Sequence, residues 1–196
     1  MLGMRPISSA PLGSGADFFP FQKAADAASL VMQAVIVPGD KTREGILVSD
    51  LTRTWFDIVA ALGDDPSIAF QIPPRRWEEI VAGAYTRAGF ETVIVTPRSG
   101  DFGRDVIAEK RGIGTIRVID QVKAYKPGHL VTADDVRALL GVLVADGASI
   151  GFLTTTSDFA PRLREDVLLR PFIPSKLQLL NGTELLAALQ RLAKGA

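Results

Sequence analysis

Two runs rich in β-branched residues, Asp105-Val106-Ile107-Ala108-Glu109-Lys110 and Thr115-Ile116-Arg117-Val118-Ile119-Asp120-Gln121-Val122-Lys123, flank the glycine-containing turn Arg111-Gly112-Ile113-Gly114. That arrangement predicts a β-hairpin. Centred on Ile113, the hairpin sets Asp105 opposite Gln121, because both stand equally far from the centre. Side chains alternate faces along a strand, so Gln121 and Lys123 share a side. The expected result is one face carrying a carboxylate, an amide and an ammonium.

These groups suit metal-assisted cutting of a phosphodiester. Magnesium prefers oxygen ligands and takes few side chains, filling its shell with water and substrate phosphate oxygens. Asp105 and the Gln121 carbonyl meet that demand. An ammonium nearby can orient the attacking water and offset charge on the phosphate, which is the role expected of Lys123. A third ligand is expected from the preceding helix, Arg76 to Gly89, where Trp77, Ile80, Val81, Ala84 and Ala88 fall at helical spacing and Gly89 suits a C-terminal cap. At roughly 100° per residue Glu78 flanks the apolar face and Glu79 points away, so Glu78 is the candidate. Gly83 costs that helix about 1 kcal/mol relative to alanine, which suggests close packing there.

Trp77-Glu78, Gly89-Phe90, Gly100-Asp101-Phe102-Gly103-Arg104-Asp105-Val106-Ile107-Ala108 and Gln121-Val122-Lys123-Ala124-Tyr125 together resemble the Mrr-type restriction endonucleases of the PD-(D/E)xK nuclease superfamily. The similarity runs on through Val136 to Gly141 and Gly151 to Pro161, ending near Leu186. It implies a magnesium-dependent, type IV restriction-like deoxyribonuclease, with manganese as a substitute ion and a product bearing a 5′ phosphate. By that resemblance Glu78, Asp105, Gln121 and Lys123 are the catalytic set, the first three holding metal. Three positions depart from the family's pattern. Phe102 and Arg104 replace small residues beside the site, and Ala124 stands where the family commonly has arginine.

Formal net charge is zero, which is unusual for a DNA-binding chain, but the charge is unevenly spread. Residues 75 to 126 carry ten Lys and Arg against seven Asp and Glu, whereas residues 1 to 74 carry five against eight. The positive excess coincides with the expected site, and Arg98, Arg104 and Lys126 are candidate phosphate contacts. With no cysteine and one histidine, His129, a zinc centre is not expected. No apolar run reaches the roughly 18 residues of a membrane span. The start lacks a signal-peptide pattern, so a cytoplasmic protein with no membrane partner is the expectation.

Residues 1–16 are rich in Gly, Pro and Ser and are expected to be disordered; 17–74 form a mostly helical extension and linker; 75–196 form the endonuclease domain. Within 17–74, helices are expected near Phe21 to Ala34 and Leu51 to Leu62, the latter capped by Ser49 or Asp50, with a short strand at Ala34 to Pro38. From Arg75 the expected order is helix, three strands, helix, strand, short helix, strand, helix. That predicts an α/β restriction-endonuclease-like sandwich around a mixed sheet. Asp120 is expected to face away from Gln121 and to be structural, and Trp77 and Tyr85 to be core. DNA is the expected partner, cutting of both strands suits a homodimer, and a restriction-system or helicase partner is compatible. The rival expectation is a nuclease fold that binds DNA or protein without cutting.

Overall fold

A computed structural model of the chain describes residues 29–97 and 103–195. The expected disorder of 1–16, the start of the helix expected at Phe21, and the candidates Arg98, Asp101 and Phe102 lie outside those residues. Seven strands pair in chain order: β1 (Ile36–Lys41), β2 (Ile46–Leu51), β3 (Thr92–Val95), β4 (Val106–Arg111), β5 (Thr115–Lys123), β6 (Ile150–Thr155) and β7 (Leu177–Leu180). Neighbours from β1 to β5 run antiparallel, and β5, β6 and β7 run parallel. The sheet is mixed and flanked by helices α1 (Arg53–Asp64), α2 (Pro74–Arg87), α3 (Ala133–Asp146) and α4 (Gly182–Lys194).

Strand alternation builds two cores. Val118 on β5 joins Val93, Val95, Val106 and Ala108 beneath α1, α2 and α4, whereas the next residue, Ile119, joins Leu153, Leu177 and Leu179 beneath α3. A sheet covered on both faces needs apolar residues on both, which is why β4 opens with three consecutive buried residues, Val106, Ile107 and Ala108, before its exposed charged end. Short turns close the β1–β2 and β4–β5 hairpins, β2 reaches its antiparallel neighbour β3 through α1 and α2, and the parallel step from β5 to β6 needs a crossover, which α3 supplies.

Helix α2 starts at Pro74, where a missing N–H costs nothing, and buries Trp77, Ile80 and Val81. It ends at Arg87, with Ala88 in the cap position and Gly89, the glycine expected to cap it, following at a φ of +79°. The Gly89 N–H donates to Thr86 O and the Phe90 N–H to Tyr85 O, both at 3.1 Å, a pattern that satisfies the last carbonyls. The two tryptophans anchor the layer. Trp55 donates its indole N–H to Ile80 O and Trp77 to Ala69 O, each at 3.0 Å, so neither buried donor is orphaned. Gly83 lies against Trp55, and a Cβ there would come within 2.5 Å of the indole, which explains the glycine in mid-helix.

Residues 46–51 form a strand that sequence reading left without an element. Ile-Leu-Val-Ser-Asp-Leu has only a short apolar stretch, and pairing with β1 and β3 makes it a strand. The following helix therefore begins later than expected, at Arg53, with Thr52 rather than Ser49 or Asp50 in the cap position. Within the expected linker, Pro66–Phe70 forms a 3-10 helix whose first turn is closed by the Asp65 carboxylate accepting the Ser67 N–H at 2.9 Å.

Candidate active site

The β4–β5 register is the one expected from sequence. Val106 pairs with Asp120 and Arg111 with Thr115, which centres the hairpin on Ile113. Asp105 stands just before β4, where the backbone is held from both sides: its N–H donates to Asp120 O at 3.0 Å and its carbonyl accepts the Thr96 N–H at 3.1 Å. Its Oδ2 accepts the Val122 N–H at 2.6 Å, so the carboxylate is aimed at the stretch of β5 that carries Gln121 and Lys123. Gly103, with φ +77°, passes so close that a Cβ there would sit 3.0 Å from Gln121 Nε2. Backbone geometry around Asp105 and Gln121 is thereby set by the approach loop.

Lys123 ends β5. Its carbonyl accepts the Thr155 hydroxyl at 2.8 Å and the Thr156 N–H at 3.2 Å, while the Thr156 hydroxyl donates to Tyr125 O at 2.7 Å. Consecutive threonines at the end of β6 thus brace the exit of β5. Nothing in the sequence reading gave them a role, although three threonines ending a parallel strand were a visible signal. The Lys123 ammonium lies 3.5 Å from Asp135 Oδ1. Asp135 was also missed, and its signal was the Thr132-x-x-Asp135 spacing of a capping box.

Glu78 projects from α2, across the sheet from α3 and at the same end as Asp105. Arg75 Nη1 donates to Glu78 Oε2 at 2.5 Å and to Thr96 O at 2.7 Å, and Thr96 is itself bonded to Asp105. Glu78 therefore connects to Asp105 through Arg75 and Thr96. Lys126 is exposed in the loop after Lys123, where Tyr125 and His129 stack with ring centroids 4.0 Å apart. Arg104 lies in an ion-pair cluster: its Nη1 is 2.7 Å from Asp146 at the end of α3 and 3.6 Å from Glu44. Arg117 bonds the same Asp146 at 2.7 Å as well as Glu44 and Glu109. The Arg117 hydrogen bond, opposed by partial burial and aided by Arg104, holds the Asp146 carboxyl below its ordinary range.

Asp120 points to the opposite face, as expected, and is 2% exposed. Its Oδ2 accepts from the Tyr85 hydroxyl at 2.9 Å and from the Thr154 hydroxyl at 3.0 Å. Burial pushes its carboxyl up to about 8, against the pull of those two hydrogen bonds and with a further push from Asp105.

Among the described residues, no three Asp, Glu, His or Cys side chains cluster for a metal. Asp105 and Gln121 nevertheless offer an acidic and an amide oxygen, and Gln121 Oε1 is buried without a hydrogen-bond partner. An unsatisfied buried acceptor costs about 1–3 kcal/mol, a cost that a cation offsets. Magnesium is commonly held by one or two protein oxygens together with water and phosphate, so this donor set fits.

The fold is an α/β sandwich with a mixed sheet in which Asp105, just before β4, lies beside the end of β5 that carries Gln121 and Lys123. Residues 70–189 match the Mrr_cat restriction endonuclease family, and the chain belongs to it. No curated protein sequence matches the chain. Among solved structures, the MspJI restriction endonuclease in complex with a 27-mer oligonucleotide is similar at 16% identity and a TM-score of 0.45, over 97% of this chain and 37% of that one. The DNA modification-dependent restriction endonuclease AspBHI is similar at 17% identity and a TM-score of 0.43, over 98% and 42%. The chain spans about two fifths of the length of these two proteins.

Proposed function

We propose that the chain is a magnesium-dependent DNA endonuclease, with manganese as a substitute ion, acting in restriction, defence or DNA repair. The observation that carries this reading is the fastening of Asp105 to Val122 N–H, between Gln121 and Lys123, with Gln121 Oε1 left without a hydrogen-bond partner. Family membership supports it.

Asp105 and Gln121 hold the ion, with Glu78 contributing directly or through water. The bound ion supplies Lewis acidity toward the phosphate and lowers the pKa of a water. Lys123 orients the attacking water and offsets the negative charge that builds on the phosphoryl oxygens. Arg98, Arg104 and Lys126 hold flanking phosphates, Arg104 by exchanging part of its contact with Asp146 for the DNA. Cutting both strands requires two sites, which a homodimer provides. A restriction-system or helicase subunit is a compatible partner, and the cytoplasm a compatible place.

The test is nicking and linearisation of supercoiled plasmid, unmodified and methylated, with magnesium, manganese or EDTA, for wild type beside Lys123→Ala. Metal-dependent cutting that Lys123→Ala abolishes, with DNA affinity retained, is the expected result. A second reading, a nuclease fold that binds DNA or protein without cutting, is motivated by the bulky Phe102 and the cationic Arg104 beside the proposed site in sequence. It predicts metal-independent, salt-sensitive DNA binding and no nicking with any ion.

A further inference from the structure

We propose that Asp135, in the first turn of α3, is a positioning residue that fixes the Lys123 ammonium for cleavage, an inference that rests on the nuclease reading above. The backbone of Lys123 is already held by Thr155, the last residue of β6, and by Thr156 just after it. Its side chain is a flexible four-carbon stem, and holding the ammonium at one point requires a second anchor. Asp135 Oδ1 supplies it at 3.5 Å, and both side chains are about one quarter exposed.

The anchor is itself rigid. Asp135 Oδ2 accepts the Thr132 N–H at 3.0 Å and the Thr132 hydroxyl at 2.8 Å, and Asp135 N–H donates to Thr132 Oγ1 at 3.4 Å. One carboxylate oxygen closes the capping box of α3 and the other faces Lys123, so the crossover helix and the end of β5 meet at one residue. Partial burial pushes the Asp135 carboxyl up, but Thr132 and Lys123 outweigh it, and the group stays ionised. A partly exposed ion pair contributes little to stability, so what this contact contributes is orientation.

Two variants separate the roles. Asp135→Asn keeps an acceptor for Thr132 and removes the charge opposite Lys123; Thr132→Ala weakens the cap and keeps that charge. Asp135→Asn is expected to lower kcat for plasmid nicking by about 10- to 100-fold, the scale of a misplaced catalytic group, with DNA Kd and melting temperature little changed. Asp135→Glu is expected to recover much of the rate. Thr132→Ala is expected to lower the melting temperature with a smaller effect on kcat.

A second readout is independent of cutting. With 15N-labelled lysine, NMR relaxation of the Lys123 Nζ is expected to report a restrained ammonium in wild type and Asp135→Glu and a mobile one in Asp135→Asn. Equal mobility in wild type and Asp135→Asn overturns the anchoring, and an undiminished kcat in Asp135→Asn overturns its role in cleavage. If wild type cuts no plasmid with any ion, the nuclease reading fails, while the relaxation data still decide whether Asp135 holds Lys123.

Discussion

The Asp105 carboxylate accepts the Val122 backbone N–H at 2.6 Å, tying the acid before β4 to the strand position between Gln121 and Lys123. In Asp105→Asn the amide oxygen can keep this bond while the negative charge is lost. The expected outcome is a folded protein whose metal-dependent nicking falls by at least about 10³-fold, since transition-state electrostatics of this kind are worth several kcal/mol. Plasmid nicking beside circular dichroism checks it; wild-type rates in the variant would sink the assignment of Asp105.

Asp120 makes stability depend on pH. Its folded carboxyl titrates near 8 because of burial, whereas an unfolded aspartate titrates near the ordinary value of about 3.9. The folded state therefore binds the proton more tightly. This group's contribution is most favourable below about pH 4, falls by up to about 1.4 kcal/mol per pH unit as pH rises toward 8, and levels off above. Asp120→Asn cannot ionise and is expected to be more stable than wild type at pH 8 but not at pH 4.5. Denaturant melts at the two pH values test this, and an equal difference at both contradicts it.

Gly83 allows α2 to pack on Trp55. In Gly83→Ala the added carbon meets the indole at 2.4 to 2.5 Å and disturbs the bond from Trp55 to Ile80 O. Overpacking of this kind is expected to cost about 1–3 kcal/mol, outweighing the gain in helix propensity. Chemical denaturation measures it, and a stabilised variant would refute the packing argument.

Gly103 has a positive φ and lies against Gln121. Gly103→Ala is expected to cost about 1–2 kcal/mol of backbone strain and to displace the Gln121 amide. The corresponding readout is a higher magnesium concentration for half-maximal nicking, which unchanged metal dependence would contradict.

Much of this architecture was legible in the residues because its signals are local. The two β-branched runs and their glycine turn specify the hairpin register, which places Asp105 beside the end of β5 that carries Gln121 and Lys123. The apolar spacing from Trp77 and the cap at Gly89 mark α2. The unread parts depend on partners distant in sequence. Strand β2 becomes a strand through β1 and β3, and the helix after it starts at Arg53 for that reason. Asp135 meets Lys123 only after the crossover has folded back, and the link from Glu78 through Arg75 to Thr96 needs α2 docked on the sheet. Local charge marks Arg104 as a candidate phosphate contact, whereas its partners Asp146 and Glu44 are distant in sequence.

Among the described residues, the β1–β2 hairpin decides which strand forms one of the two borders of the sheet. Without β1 and β2, the border would be β3, whose Val93, Ile94 and Val95 are nearly inaccessible in the intact chain. Such a bare, apolar strand is a template for pairing with another molecule. With the hairpin in place the border on this side, among the described residues, is β1, where Pro38 removes a donor and the pairing register shifts on either side of it. A fragment starting at Pro74 is therefore expected to aggregate through β3, whereas one starting at Leu30 stays dispersed. Light scattering of the two fragments would reveal residues 36–51 as a guard against self-association.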